Sequence, residues 1–565
     1  MDPRIIVCGM GRTGYKIFRL LRQQGSLVKG ISDCPLASES EDIVVGDPRA
    51  STTLLAAGIR SAQTLILAGA DHSLNLAILV QARFLNPRIR VINRIFDSSL
   101  GEHLDRTLTD HFSMSVAALA APIFSFAAMG NQAIGQLQLF GKTWPIHEEL
   151  IDEDHPWKGK KLSELWDNPN QMLLYYLPIY ESLDLVSAVI KGQTLHSGDR
   201  LLIGSKPKTH SQRGSWRAPL VRFMISLQRF REYEQPILGV ILILLLTILL
   251  ATFTYIFSNL NTSFVDALYF SVGMITGAGG KDDIVESAPL SIKLFTVLMM
   301  LVGAAIIGIC YALLNDFVLG TRLRQFWDVA RVPQRHHYIV CGLGGIGVHV
   351  AIYLHQQGHE VVVIEQDPNC RFLNTARSLR IPVLIEDASL SATLQMVNIE
   401  QAEAIIAVTS NDTVNLEIAL ASKGLAPRIR VVARNHDPLF ARKVQHVFEF
   451  EAVLSPAELV APTFAAAALG GRILGNGQIA NSLWVALATL ITENHAFCGR
   501  QVKEAATGID FVPLYLERRN QTLHSWQLLE TQLAPGDVLY LTLPANQLNH
   551  LWRVSPTHTL PEHYP

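Results

Sequence analysis

The chain has 565 residues, 49% of them hydrophobic and 17% charged, with a formal net charge of −2. That length suits several domains, and the near-neutral balance leaves no electrostatic footprint for nucleic acid or an acidic substrate. Six scattered cysteines (Cys8, Cys34, Cys310, Cys341, Cys370, Cys498), with no C-x-x-C and no cysteine–histidine cluster, speak against a disulfide scaffold or a structural zinc site and fit a reducing compartment.

Residues 1–30 hold a short apolar strand and a basic amphipathic stretch without a signal-peptide core, so the N-terminus is expected in the cytoplasm. Residues 4–14 read R-I-I-V-C-G-M-G-R-T-G, a strand running into G-x-G-x-x-G. In such a loop Gly9 makes the tight turn, Gly11 lets a phosphate approach the backbone, and Gly14 lets helix and strand pack closely. The helix that follows turns its N-terminus to the anion. About 20 residues on, where a ribose-binding carboxylate belongs, stand Ser32 and then Asp33. Asp47 follows the third strand, as a loop cap or a ligand contact. Arg94 ends the fifth, where it could meet a phosphate or bridge a dimer. A small strand-rich section closes this unit near Gly198.

Two uncharged runs follow. Residues 236–257 could span about 33 Å as a helix, enough for the hydrocarbon core, and residues 294–314 form a second candidate. Arg213, Arg217, Arg222, Arg229 and Arg231 precede the first run and Arg322, Arg324, Arg331 and Arg335 follow the second, whereas the connection carries only Lys281 and Lys293. The positive-inside rule then puts both flanks in the cytoplasm. Within the connection, residues 264–274 are apolar, aromatic and too short to cross, and a glycine-rich run follows. A half-helix leading into irregular backbone is tolerated at membrane depth only inside protein or against a watery cavity. The expectation is a re-entrant pore segment in a lipid bilayer; a hairpin anchor with a surface turn is the alternative.

Beyond residue 335 the first unit is written again. Residues 337–347, H-Y-I-V-C-G-L-G-G-I-G, repeat the strand and loop with Gly342, Gly344 and Gly347; residues 404–437 match 64–97, including an identical P-R-I-R-V. Here the second strand ends on Glu365, in the ribose slot. Asp387 and Arg434 repeat Asp47 and Arg94. Alternating strands and helices in both copies predict α/β Rossmann-like domains with parallel sheets covered on both faces, flanking an all-α two-helix segment.

The central segment resembles the two-helix potassium channel pore, and A-L-Y-F-S-V at residues 267–272 is similar to its pore helix. The resemblance implies a selectivity filter of Thr276, Gly277, Ala278, Gly279 and Gly280, with Thr276 matching the threonine of the innermost ion site. This chain lacks the filter tyrosine of that family, so potassium-selective and non-selective cation passage both stay open. Asp282, Asp283 and Glu286 would form a cation-concentrating outer mouth. Gly303 lies where the family bends its inner helix, although a small residue for helix packing is an equal reading.

The repeated unit resembles the RCK domain, with its TrkA-N lobe and smaller TrkA-C lobe. That implies lobes at 1–140 and 141–207, a basic linker at 208–235, the pore at 236–320, a linker at 321–335, lobes at 336–478 and 479–545, and a tail at 546–565. It also implies a homotetramer with a cytoplasmic gating ring in the cell (inner) membrane, both termini cytoplasmic, NAD(H) or an adenine nucleotide as regulatory ligand, and K+ as permeant ion. No nucleic-acid partner is expected. A membrane-anchored oxidoreductase would need a general acid or base constellation, and the histidines are scattered; no catalytic or metal-binding residue is assigned. A non-conducting nucleotide sensor acting on a partner transporter is the remaining rival.

Overall fold

The computed structural model describes residues 4–23, 25–35, 42–96, 98–131, 133–140, 142–168, 170–179, 183–206, 235–257, 263–277, 289–319, 331–469, 473–479, 482–493, 495–518 and 521–547. The chain divides into two units. One comprises 1–211, 333–381 and 386–565; the other comprises 212–332 and 382–385.

In the first unit, strand β1 (Ile5–Cys8) is buried along its whole length, as an apolar strand covered by helices on both faces must be. It pairs in parallel with β2 (Val28–Ser32) on one side and β4 (Thr64–Leu67) on the other. With β3 (Ile43–Val45), β5 (Arg90–Arg94) and β6 (His111–Met114) the sheet order is β3-β2-β1-β4-β5-β6. The second copy repeats this order with β11 (His337–Cys341), β12 (Glu360–Glu365), β13 (Val383–Ile385), β14 (Ala404–Ala407), β15 (Arg430–Arg434) and β16 (Ala452–Leu454). The strand order reverses between β1 and β4, and between β11 and β14. In an open α/β sheet the crevice beyond the strands' carboxyl ends at that point is where ligands bind.

The two copies exchange their crossover helices. Val116–Ala128 packs on Gly345–Gln356 of the second copy, with Phe126 edge-on to Tyr353 at 5.7 Å. Pro456–Leu469 packs in turn on Arg12–Gln23, where Lys16 and Glu458 form an ion pair of 2.6 Å. The small lobes also join. Strands β7 (Gly135–Leu139), β8 (Lys142–Leu150), β9 (Gln171–Leu177) and β10 (Arg200–Ser205) share one nine-stranded sheet with β17 (Ile473–Ile479), β18 (Ser482–Leu490), β19 (Val512–Arg518), β20 (Gln521–Leu523) and β21 (Val538–Pro544). The joint is β7 against β17, where a Cβ on Gly475 would lie 2.5 Å from the Gln136 carbonyl oxygen. Glycine is what lets the strands meet there.

Among the described residues of 212–332 in the second unit, three helices stand out. Gln235–Phe257 and Leu290–Leu319 are each long and apolar enough to cross a membrane, and Phe264–Thr276 lies between them in sequence. Ser263 caps the short helix: its Oγ accepts from the Asp266 N–H at 3.2 Å and donates to the Asp266 carboxylate at 2.6 Å. Ala251, Tyr255, Ala267, Phe270, Ile275 and Met299 form the core of this unit. Tyr255 stands edge-on to Phe270 at 5.1 Å and shares a buried 3.0 Å hydrogen bond with Thr296. Leu242, Leu246, Leu250, Leu294 and Leu301 face outward, an apolar surface of the kind lipid covers.

Candidate functional site

The glycines of both loops are held by geometry. Gly9 and Gly342 have φ of +88° and +95°, in the region that a side chain disfavours. A Cβ on Gly14 would lie 2.1 Å from the Gly9 carbonyl oxygen, and one on Gly347 would lie 1.9 Å from that of Gly342. Gly11 and Gly344 face open space, so nothing in the fold itself demands a glycine there. Open space at the second glycine is what lets a phosphate reach the backbone.

A cavity of about 930 Å³ opens over the first loop. Its wall includes Gly9, Gly11, Arg12, Asp33, Asp47 and Arg94, and the second copy contributes Gly345, Arg434 and His436. Gly342, Gly344, Glu365 and Asp387 are not among its lining residues.

The cations of this wall are unequally satisfied. Arg49 forks onto Asp47, with contacts of 3.0 and 2.9 Å, and holds that carboxyl below its ordinary range. Arg94 donates to the Ala68 carbonyl at 3.2 Å rather than to a carboxylate. Arg434 donates to His436 Nε2 at 2.7 Å. A guanidinium has no acceptor, so Nε2 must accept, and the ring proton sits on Nδ1, which donates to Asp412 at 2.7 Å. Arg434 Nε is buried and has no hydrogen-bond partner among the described residues. Burial lowers the pKa of both arginines. Arg434 adds to the effect at Arg94, and Arg12 adds to it at Arg434, against an opposing pull from Asp412. Buried guanidiniums that repel one another favour an anion between them.

The ends of β5 and β15 are tied by buried asparagines. Asn75 Nδ2 donates to the Gly69 and Arg94 carbonyls at 3.0 and 3.1 Å; Asn415 Nδ2 donates to the Thr409 and Arg434 carbonyls at 3.2 and 3.1 Å. These asparagines, with Arg12, His436 and Asp412, escaped sequence reading. The signal lay in overlaying the repeats, where Arg12 stands opposite Gly345, His72 opposite Asp412 and Phe96 opposite His436.

The second loop is arranged differently. Glu365 accepts from the Leu343 N–H at 2.5 Å through one oxygen and from the Asp367 N–H at 2.9 Å through the other. Asp387 caps its own turn, accepting from the Ser389 N–H at 2.8 Å and hydroxyl at 2.7 Å. In the first copy Ser32 Oγ accepts from the Cys34 N–H at 3.3 Å, and Asp33 is exposed at the cavity wall.

In the helical unit, Phe264–Thr276 runs two residues past the expected end of the short helix. Thr276 is its last residue, its hydroxyl bonded to the Val272 carbonyl at 2.8 Å, and Gly277 is its left-handed cap. Ala278, Gly279, Gly280, Asp282, Asp283 and Glu286 lie outside the described residues. The helix Leu290–Leu319 continues through Gly303, where a Cβ would lie 2.8 Å from the Ile275 Cα. Gly303 is thus the seat on which the end of the short helix packs.

A model of the TrkA-N domain matches residues 5–114 and 338–456. The chain is 25% identical over 211 residues to potassium channel protein 1 of Methanocaldococcus jannaschii, covering 36% of this chain and 62% of that one. It is 24% identical over 229 residues to the voltage-gated potassium channel Kch of Escherichia coli, covering 39% and 53%. The chain therefore spans little more than half the length of these relatives. Among solved structures it is similar to the GsuK channel bound to NAD, with a TM-score of 0.47 at 15% identity over 98% of this chain and 79% of that chain.

Proposed function

We propose that this chain, which carries a TrkA-N domain on each side of two membrane-length helices, is a ligand-gated cation channel with potassium as its permeant ion. The observation that carries the reading is the short apolar helix Phe264–Thr276, packed with both long helices and ending at the glycine run. Backbone carbonyls of such a run, repeated around a homotetramer, would replace the hydration shell of a cation. Thr276, Gly277, Ala278, Gly279 and Gly280 line the path in this proposal, Asp282, Asp283 and Glu286 form its mouth, and Gly303 is where the inner helix could bend. The basic flanks support an orientation with the α/β unit and both termini on the cytoplasmic side of the cell membrane.

Gating would come from a phosphate-bearing nucleotide, NAD(H) or an adenine nucleotide, bound by the α/β unit. The ligand does work only by its difference in affinity between two conformations. Residues 321–335 would carry that work from the α/β unit to the inner helix. The lining of the cavity over the first loop supports an anionic ligand of this class.

The test is the reversal potential of the purified protein in a planar bilayer between unequal potassium and sodium solutions. Current reversing near the potassium equilibrium value supports the reading. Robust current reversing near zero makes this a non-selective cation channel, and no current under any nucleotide favours the silent sensor.

A further inference from the structure

The two loops share a sequence pattern, yet the same two positions around them carry opposite chemistry. The first residue of the helix that follows the loop is Arg12 in the first copy and Gly345 in the second. The side chain that the other copy brings toward that loop is His436 in one case and Phe96 in the other. The Phe96 ring fills the place beside Gly345 so closely that a Cβ there would lie 2.3 Å from it. Arg371 stacks on Phe96 at 4.6 Å and on Phe372 at 4.8 Å, and the two phenyl rings are 5.5 Å apart. The exchange extends one layer further. His436 is oriented by Asp412, whereas the corresponding residue, His72, lies edge-on to Phe96 at 6.0 Å. The acid in the second copy's ribose slot is also engaged, because Glu365 holds the Leu343 N–H within the loop.

We propose that each chain has one nucleotide site rather than two: the cavity over Gly9 and Gly11, completed by Arg434 and His436 of the second copy, while Phe96, Arg371 and Glu365 close the second loop. This rests on the nucleotide-gated reading and makes it specific. The ligand is a nucleotide whose phosphates meet the first loop and the guanidiniums of Arg12, Arg94 and Arg434. Because its wall comes from both copies, the ligand ties one copy to the other. The sequence favours the second copy, through Glu365 in the ribose slot; the geometry favours the first.

The experiment is calorimetric titration of the full-length detergent-solubilised protein with ADP and, separately, with NAD+. Copurified nucleotide is counted by ultraviolet absorbance and added to the total. One nucleotide per chain is expected for at least one of the two. Arg434→Ala and Arg434→Lys should each weaken binding about tenfold or more, since a forked charged contact is lost. Glu365→Ala should change affinity by less than about twofold, an interaction with a ligand being absent. A stoichiometry near two overturns the proposal, as does binding that Glu365→Ala removes and Arg434→Ala spares. Binding of neither nucleotide also overturns it. A potassium current in the bilayer would still stand in any of these cases, so the channel reading fails separately.

Discussion

The first and second glycine loops have the same strand order, the same positive-φ turn and the same close approach at the third glycine, and they differ in what faces them. One looks into a cavity where Arg94 bonds a carbonyl and Arg434 an imidazole; the other has an aromatic ring and its own glutamate against it. The lesson is that a nucleotide-binding fold is a scaffold, and the site is decided by the side chains brought to it. Duplication within one chain frees the two copies to diverge, because a substitution in one is not repeated in the other. A pair of identical subunits cannot do this.

The third glycines carry the largest expected difference between the two loops. Gly14→Ala and Gly347→Ala each force a Cβ onto a loop carbonyl oxygen, and each should destabilise the α/β unit by about 1–3 kcal/mol in chemical unfolding. Only Gly14→Ala should remove nucleotide binding. Equal losses of binding in both would mean that the loops are equivalent after all.

A smaller effect is expected at His436. His436→Phe copies the first copy's residue into the second and releases Arg434 from its imidazole partner. Nucleotide affinity should fall about three- to tenfold, the loss of one hydrogen bond that positions a charge. Equilibrium titration checks it, and unchanged affinity would remove His436 from the account.

The seat of Phe96 can be measured by a double-mutant cycle. Gly345→Ala should cost about 1–3 kcal/mol by overpacking against the ring. In a Phe96→Ala background the same change should be neutral or stabilising, as alanine is in a helix. Additive effects would show that ring and glycine do not meet.

The smallest expected effect concerns pH. His337 is buried, its Nε2 bonded to the Val397 carbonyl at 2.7 Å, and burial is the main cause that holds its pKa below 6.5. His111 in the first copy is also depressed by burial, with Asp105 opposing. A depressed histidine leaves the unfolded chain to take up the proton first. Stability is therefore full above about pH 6.5 and falls as the pH drops below it. His337→Gln should flatten that slope; a slope unchanged by the substitution would assign the acid sensitivity elsewhere.

Much of the fold was legible because it is written in periodicity and repetition. The buried strands IIVC and HYIVC, the glycine spacing and the uncharged runs each carry a local physical cause. What stayed hidden is non-local. Nothing near Phe96 announces that it will sit on Gly345, and nothing near residue 475 announces a strand joint with the first copy. The short helix was legible as a helix but not in its length, since Ile275 and Thr276 continue it until Gly277 supplies a left-handed cap. In the ribose slot, residue type points to Glu365; what the sequence did not show is that its carboxylate accepts the Leu343 N–H of the loop.

The most direct test of the central claim is open probability in a planar bilayer, with ADP and then NAD+ added to the side that bathes the α/β unit. A cation current whose open probability changes with one of these nucleotides is expected. Arg434→Ala should shift the concentration dependence at least about tenfold upward, as for one lost charged contact, and Glu365→Ala should leave it in place. A nucleotide response that survives Arg434→Ala and vanishes with Glu365→Ala would contradict it.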